Sequence, residues 1–225
     1  MNNQIFGVFI SILAYYIGIN IYEKLKNPLI NPLLVSTLIV IAVLLSLNIS
    51  YNSYMEGGSI ISFFIIPATV SLVVPFYKNW EIFKKYKVAI FLGSLAGSVT
   101  SLASVVLLSK LLSLDKLLLI SLMPKSITSA LALPISDVYG GIMSLTSMIL
   151  VFTGVIGVSL SEKIFAMFNI KDSIAKGVAL GTSAHAVGTS KALELDEVSG
   201  AIASLCIILT GFITIIIFPM FYRLI

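Results

Sequence analysis

The chain has 225 residues, 58% of them apolar and only 11% charged, with a mean hydropathy of +1.08. A soluble domain usually carries about a quarter charged residues, so a water-soluble globule is excluded, as is a disordered chain. The net charge of +4 comes from 14 basic and 10 acidic residues lying mostly between apolar runs, which makes it a membrane-orientation signal and not a nucleic-acid footprint. The single cysteine, Cys206, excludes an intrachain disulfide.

A bilayer core needs about 20 apolar residues in helical form. Eight runs approach that length: Ile5 to Ile21, Leu33 to Ile49, Ile60 to Tyr77, Val88 to Ser109, Leu117 to Leu133, Gly140 to Leu160, Ala175 to Ala192 and Ala201 to Tyr222. The expected fold is therefore an all-α polytopic membrane protein of seven or eight helical segments, one transmembrane domain over 1–225. The first run has neither a basic leader nor a small-residue cleavage site and reads as a retained helix. Runs one, four, six and eight are continuous and read as ordinary spans. Asn31 before Pro32 reads as a helix start, and Asp137 either caps the sixth run, the preferred reading, or binds a cation.

The other interrupted runs carry the polarity. Run three contains Pro67 and Pro75, run five contains Pro124 and Lys125 and ends at Pro134, and run seven reads Gly181-Thr-Ser-Ala-His-Ala-Val-Gly-Thr-Ser-Lys191. Proline removes a helical hydrogen bond and glycine tolerates non-helical backbone, so each run is expected to break. Inside a bilayer the freed backbone groups must face protein or water, so broken segments point to a cavity.

Basic residues test the topology. With the N-terminus outside and run five re-entrant at Pro124, the inner face collects Lys24, Lys26, Lys78, Lys84, Lys85, Lys87, Lys163, Lys171, Lys176 and Arg223, against Lys110, Lys116 and Lys191 outside. Eight full crossings give no such bias, so the re-entrant arrangement is preferred in a multi-pass plasma-membrane protein. A weak echo between the halves suggests repeats 1–112 and 113–225. Small residues such as Gly93, Gly97 and Gly200 offer close helix packing or assembly into an oligomer.

Lys125 is the sharpest candidate. An ammonium at bilayer depth costs roughly 2.5–3.5 kcal/mol on insertion scales, so it either faces a wet cavity or snorkels to the headgroups. In the first case it answers an anionic carboxylate, with hydroxyl help from Ser126 and Thr128. Thr182, Ser183 and Thr189 flank His185, the only histidine, where helix ends at the glycines would gather backbone N–H groups. His185 either couples proton movement or bonds to neighbouring backbone. Thr69 and Ser71, between the prolines of run three, either complete this site from a second broken helix or merely accompany a kink. Lys78 to Lys87 read as a loop facing lipid headgroups. Ser183 and His185 would point about 200° apart on one helix, which disfavours a dyad unless the segment unwinds. Enzyme signatures are absent, and no second His or Cys stands at ligand spacing, so neither catalysis nor a metal or cofactor is expected.

Four ordered stretches resemble the LrgB/CidB family of antiholin-like membrane proteins. They are Asn31-Pro-Leu-Leu-Val-Ser36, Pro67-Ala-Thr-Val-Ser-Leu-Val-Val-Pro-Phe-Tyr-Lys78, Pro124-Lys-Ser-Ile-Thr128 with Gly140-Gly141, and Ala179-Leu-Gly-Thr-Ser-Ala-His-Ala-Val-Gly-Thr189 with Gly200. The resemblance implies modulation of murein hydrolase activity and autolysis beside a smaller LrgA/CidA-type membrane partner. Relatives such as a plastid glycolate/glycerate carrier imply transport of small monocarboxylates like pyruvate or lactate. An antiholin-like regulator of permeability with no transport cycle of its own is the other expectation.

Overall fold

In the computed structural model the described residues are 3–25, 32–64, 67, 70–71 and 73–225. Secondary structure among them is helical, and the chain separates into two compact units, Met1–Ser71 and Leu72–Ile225.

The first unit holds α1 (Asn3–Leu25), α2 (Pro32–Ser46) and α3 (Tyr51–Phe63). Both α2 and α3 pack on α1. Gly7 of α1 and Gly57 of α3 face each other so closely that either one's missing Cβ would strike the other helix's backbone. Ser11 and Tyr54 seal that contact with a 2.8 Å hydroxyl bond. Helix α3 begins nine residues ahead of the apolar run expected from Ile60. The Ser50 hydroxyl accepts the Ser53 N–H at 3.2 Å and starts the helix inside a polar stretch. Asn31 and Thr69 lie outside the described residues.

The second unit contains α4 (Val73–Lys78), α5 (Trp80–Leu111), α6 (Lys116–Leu122), α7 (Ser129–Val138), α8 (Met143–Met167), α9 (Ser173–Ser183), α10 (His185–Leu195) and α11 (Glu197–Tyr222). Helices α1, α5, α8 and α11 are long and apolar enough to cross a membrane, matching the four continuous runs. The most apolar stretch of α11 is 67% buried, against 22–33% for the other three, which makes α11 the core helix. It packs on α5, α9 and α10. Gly177 and Gly181 of α9 lie against Ser199, Ile202 and Ala203 of α11, so backbone meets backbone there. Gly93 and Gly97 of α5 are covered by Val178 and Thr182, and Gly200 by Leu193. The glycines read as possible assembly faces are thus occupied by packing within the chain.

Runs five and seven break as their prolines and glycines require. Run five becomes α6 and α7, which at 1.5 Å per residue are about 10 and 15 Å long, too short to span. Thr146 of α8 donates its hydroxyl hydrogen within reach of both the Ser121 carbonyl (2.9 Å) and the Ser136 hydroxyl (2.7 Å). Those two residues would stand about 22 Å apart on a straight helix, so the segment doubles back between them. Gly140, at φ +81°, makes the turn into α8. Asp137 does not cap that helix. It sits in the last turn of α7, Ile142 holds the cap position, and the Ser121 hydroxyl accepts the Ile142 N–H at 2.7 Å. The two-glycine turn separates Asp137 from the helix start.

Run seven bends at Ala184, so α10 folds back until Gly188 lies beside the Leu180 carbonyl. Asp196 starts α11: one carboxylate oxygen accepts the Ser199 N–H at 2.7 Å, the other accepts the Ser199 and Ser173 hydroxyls at 2.7 and 3.0 Å. Partial burial acts to raise its pKa. The Ser199 amide and hydroxyl, the Ser173 hydroxyl and the Lys176 charge outweigh it, and the net shift is below the ordinary carboxylate value.

Candidate functional site

Four pieces of the second unit line an open cleft of about 600 Å³. Helix α5 gives it Ala96, Gly97, Thr100, Ser101 and Ser104, whose spacing puts them on one face. The break between α6 and α7 gives Lys125 and Ser126. Helix α8 gives Ile149, Phe152, Thr153, Ile156 and Gly157, again one face, and the end of α9 gives Thr182 and Ser183.

The cleft lies at mid-length of α8 and in the second half of α5. Ser101 is about 14 Å along α5 from Lys110, and Thr153 about 14 Å along α8 from Glu162, each near half of a 30 Å hydrocarbon core. Lys125 is therefore a deep cation. Its Nζ donates to the Ser101 hydroxyl at 3.2 Å and to the Ser126 hydroxyl at 3.4 Å, and those two hydroxyls bond each other at 2.8 Å. Among the described residues no carboxylate pairs with it; the ion pairs there are Lys84–Glu81, Lys191–Glu162 and Lys191–Glu194. Hydroxyl dipoles solvate an ammonium without neutralising it, so a protonated Lys125 leaves the site one positive charge in excess among the described residues.

Three other hydroxyls of the lining have their hydrogens engaged. Thr182 donates to the Val178 carbonyl at 2.8 Å, Ser183 to Ala179 at 2.6 Å and Ser104 to Ser101 at 2.8 Å. They present lone pairs to the cleft. Lys125, Ser101 and Ser126 together offer donors suited to an anion, and Thr100 and Thr153 add hydroxyls from α5 and α8.

Of the residues singled out in the sequence, Lys125, Ser126, Thr182 and Ser183 meet at this cleft. Thr128, His185 and Thr189 are not among its lining. Thr128 holds the cap position of α7, its hydroxyl buried and unpartnered among the described residues. His185 adopts φ +41° at the start of α10, and its Nε2 lies 2.9 Å from the Leu150 carbonyl. A carbonyl only accepts, so Nε2 carries the hydrogen. The ring packs over Gly154, where a methyl group would collide with it, and Thr189 donates to the His185 carbonyl at 3.0 Å. With Ser183 bonded to Ala179, no Ser–His dyad forms. Ser71 is exposed, in the first unit.

The sequence profile of the LrgB-like family matches residues 11–224. The chain belongs to the LrgB-like family. It is 38% identical over 221 residues, 98% of this chain and 96% of the relative, to the antiholin-like protein LrgB of Bacillus subtilis (strain 168). Identity is 37% over 217 residues to the proteins of the same name from Bacillus mycoides (strain KBAB4) and Bacillus cereus (strain B4264), covering 96% of this chain and 94% of each. No solved structure matches. The resemblance carried by the four sequence stretches is thus established over nearly the whole LrgB-like chain.

Sequence reasoning missed Ser101, the closest hydroxyl partner of Lys125. The available signal was the spacing of Thr100, Ser101 and Ser104, which sets three hydroxyls on one face of an otherwise apolar helix.

Proposed function

We propose that this LrgB-like protein carries small monocarboxylate anions, hydroxy- or keto-acids of the pyruvate, lactate and glycolate type, through the cleft between α5, α8 and α9. One observation carries the reading: the Lys125 ammonium lies at mid-span with hydroxyl partners and no paired carboxylate among the described residues. A buried cation of this kind is maintained against its insertion cost when a negative guest completes it. A single carboxylate neutralises it and can also accept from Ser101 or Ser126. Thr182 and Ser183 offer lone pairs to a hydroxyl on the guest.

In this reading the protein resides in the plasma membrane with its N-terminus outside, works beside a small LrgA/CidA-type membrane partner, and touches autolysis indirectly. Movement of a weak acid changes the proton gradient that controls murein hydrolases. A purely structural, antiholin-like role through assembly is less favoured, because the small-residue faces of Gly93, Gly97 and Gly200 are covered by Val178, Thr182 and Leu193.

The test is uptake of labelled pyruvate or glycolate into proteoliposomes holding the purified protein, with and without the partner. Lys125→Ala lowers uptake about 10- to 100-fold, as expected for losing a charge-assisted anchor worth about 1.5–3 kcal/mol. Absence of uptake for every monocarboxylate, with or without partner, argues for the structural role.

A further inference from the structure

The lining of the cleft holds a cationic pole and an apolar wall with Thr153 set within it. Lys125, Ser101 and Ser126 form one pole, and Ile149, Phe152 and Ile156 of α8 form an apolar wall. Most of the surface the cleft presents is apolar, although hydroxyls are spread along it. A volume of about 600 Å³ suits a drug-sized guest and far exceeds the needs of a three-carbon acid. The wall also leads outwards: Phe152 and Ile156 are 42% and 53% exposed, so a tail lying along them meets no closed end.

We propose that the cleft prefers monocarboxylates bearing an aliphatic tail, the carboxylate on Lys125, Ser101 and Ser126 and the tail along Ile149, Phe152 and Ile156. The inference rests on the carrier reading, which supplies the carboxylate anchor, and adds a second determinant of specificity. A second charge at the far end of the guest would be desolvated against Phe152 and Ile156, with no cation to meet it on that wall. Straight-chain acids therefore gain from each added carbon, and dicarboxylates of equal length lose.

The experiment titrates the protein in nanodiscs with pyruvate, 2-oxobutyrate, 2-oxopentanoate and 2-oxohexanoate, using empty nanodiscs to subtract partitioning. Affinity is expected to rise about fourfold per added carbon, equivalent to about 0.8 kcal/mol per buried methylene. 2-Oxoglutarate binds at least about tenfold more weakly than 2-oxopentanoate, which has the same number of carbons. Phe152→Ala compresses the ratio between the longest and shortest acids, and Ile156→Ala serves the same purpose should the first variant not fold.

Short acids that bind, are lost with Lys125→Ala, and show no gain with length overturn this proposal and leave the carrier reading standing. An unchanged length ratio in both α8 variants overturns it too. Failure of every acid to bind overturns the carrier reading together with this one.

Discussion

The two broken segments of the second unit look alike in sequence and do opposite things. Between α6 and α7 the chain turns at Pro124 and leaves Lys125 and Ser126 facing the cleft. Between α9 and α10 it turns at Ala184, and the residue that follows, His185, closes its own break by bonding the Leu150 carbonyl of α8. One interruption delivers a charge to a cavity. The other uses its most polar side chain as a rivet between helices. A titratable group at membrane depth is therefore not evidence of chemistry until its partner is known.

The comparison can be broken most directly at the rivet. His185→Ala removes a buried ring, leaves the Leu150 carbonyl without it, and should cost about 2–4 kcal/mol, read as a lower thermal midpoint in detergent. The fraction that stays folded should still take up pyruvate, whereas Lys125→Ala should melt near the parent protein and fail in uptake. A His185 variant that is fully stable but inactive would reverse the roles assigned to the two breaks.

Gly154→Ala sharpens the same point from the α8 side, since the added methyl group meets the His185 ring. Overpacking of this kind costs about 1–3 kcal/mol, measurable in the same melting assay. An unchanged midpoint would show that the ring has room to move.

Asp196 supplies a pH handle on the sealed segment. Its folded pKa is depressed, so the stabilisation is present above the ordinary aspartate value of about 3.9 and fades as pH falls through the lower folded value. Melting midpoints should drop across that acid window. Asp196→Asn, which keeps a capping acceptor, should flatten the drop, and Asp196→Ala should lose about 1 kcal/mol at neutral pH. The smallest effect is expected at the open break: Thr128→Val replaces a buried hydroxyl, unpartnered among the described residues, by a methyl group of similar shape. Stability should stay within about 0.5 kcal/mol or rise, and a large loss would reveal a bond that the hydroxyl makes.

Much of this architecture was legible because prolines and glycines punctuate apolar runs visibly. Pro124 marked the doubling back of α6 and α7, the glycines from Gly181 to Gly188 marked the bend at Ala184, and Lys125 announced a cavity by its cost. Ser101 was not legible in the same way. A single hydroxyl within an apolar helix is cheap, since it can bond its own backbone, and its importance comes from a lysine 24 positions away. The rivet was hidden for a similar reason: the Leu150 carbonyl belongs to a helix 35 residues earlier in the chain and has no side-chain signature. The early start of α3 escaped because Glu56, Gly57 and Gly58 resemble a loop until Gly57 is seen against Gly7.

Thr146 gathers the two legs of the doubled-back α6–α7 arm onto α8 with one hydroxyl. The arm has too little length to anchor itself in a bilayer, so α8 serves as its mast. Any sliding or tilting of that helix would haul the ammonium along with Phe152 and Ile156. Anchor and wall would then travel as a single carriage, keeping a passenger's grip unchanged while the surroundings shift past it.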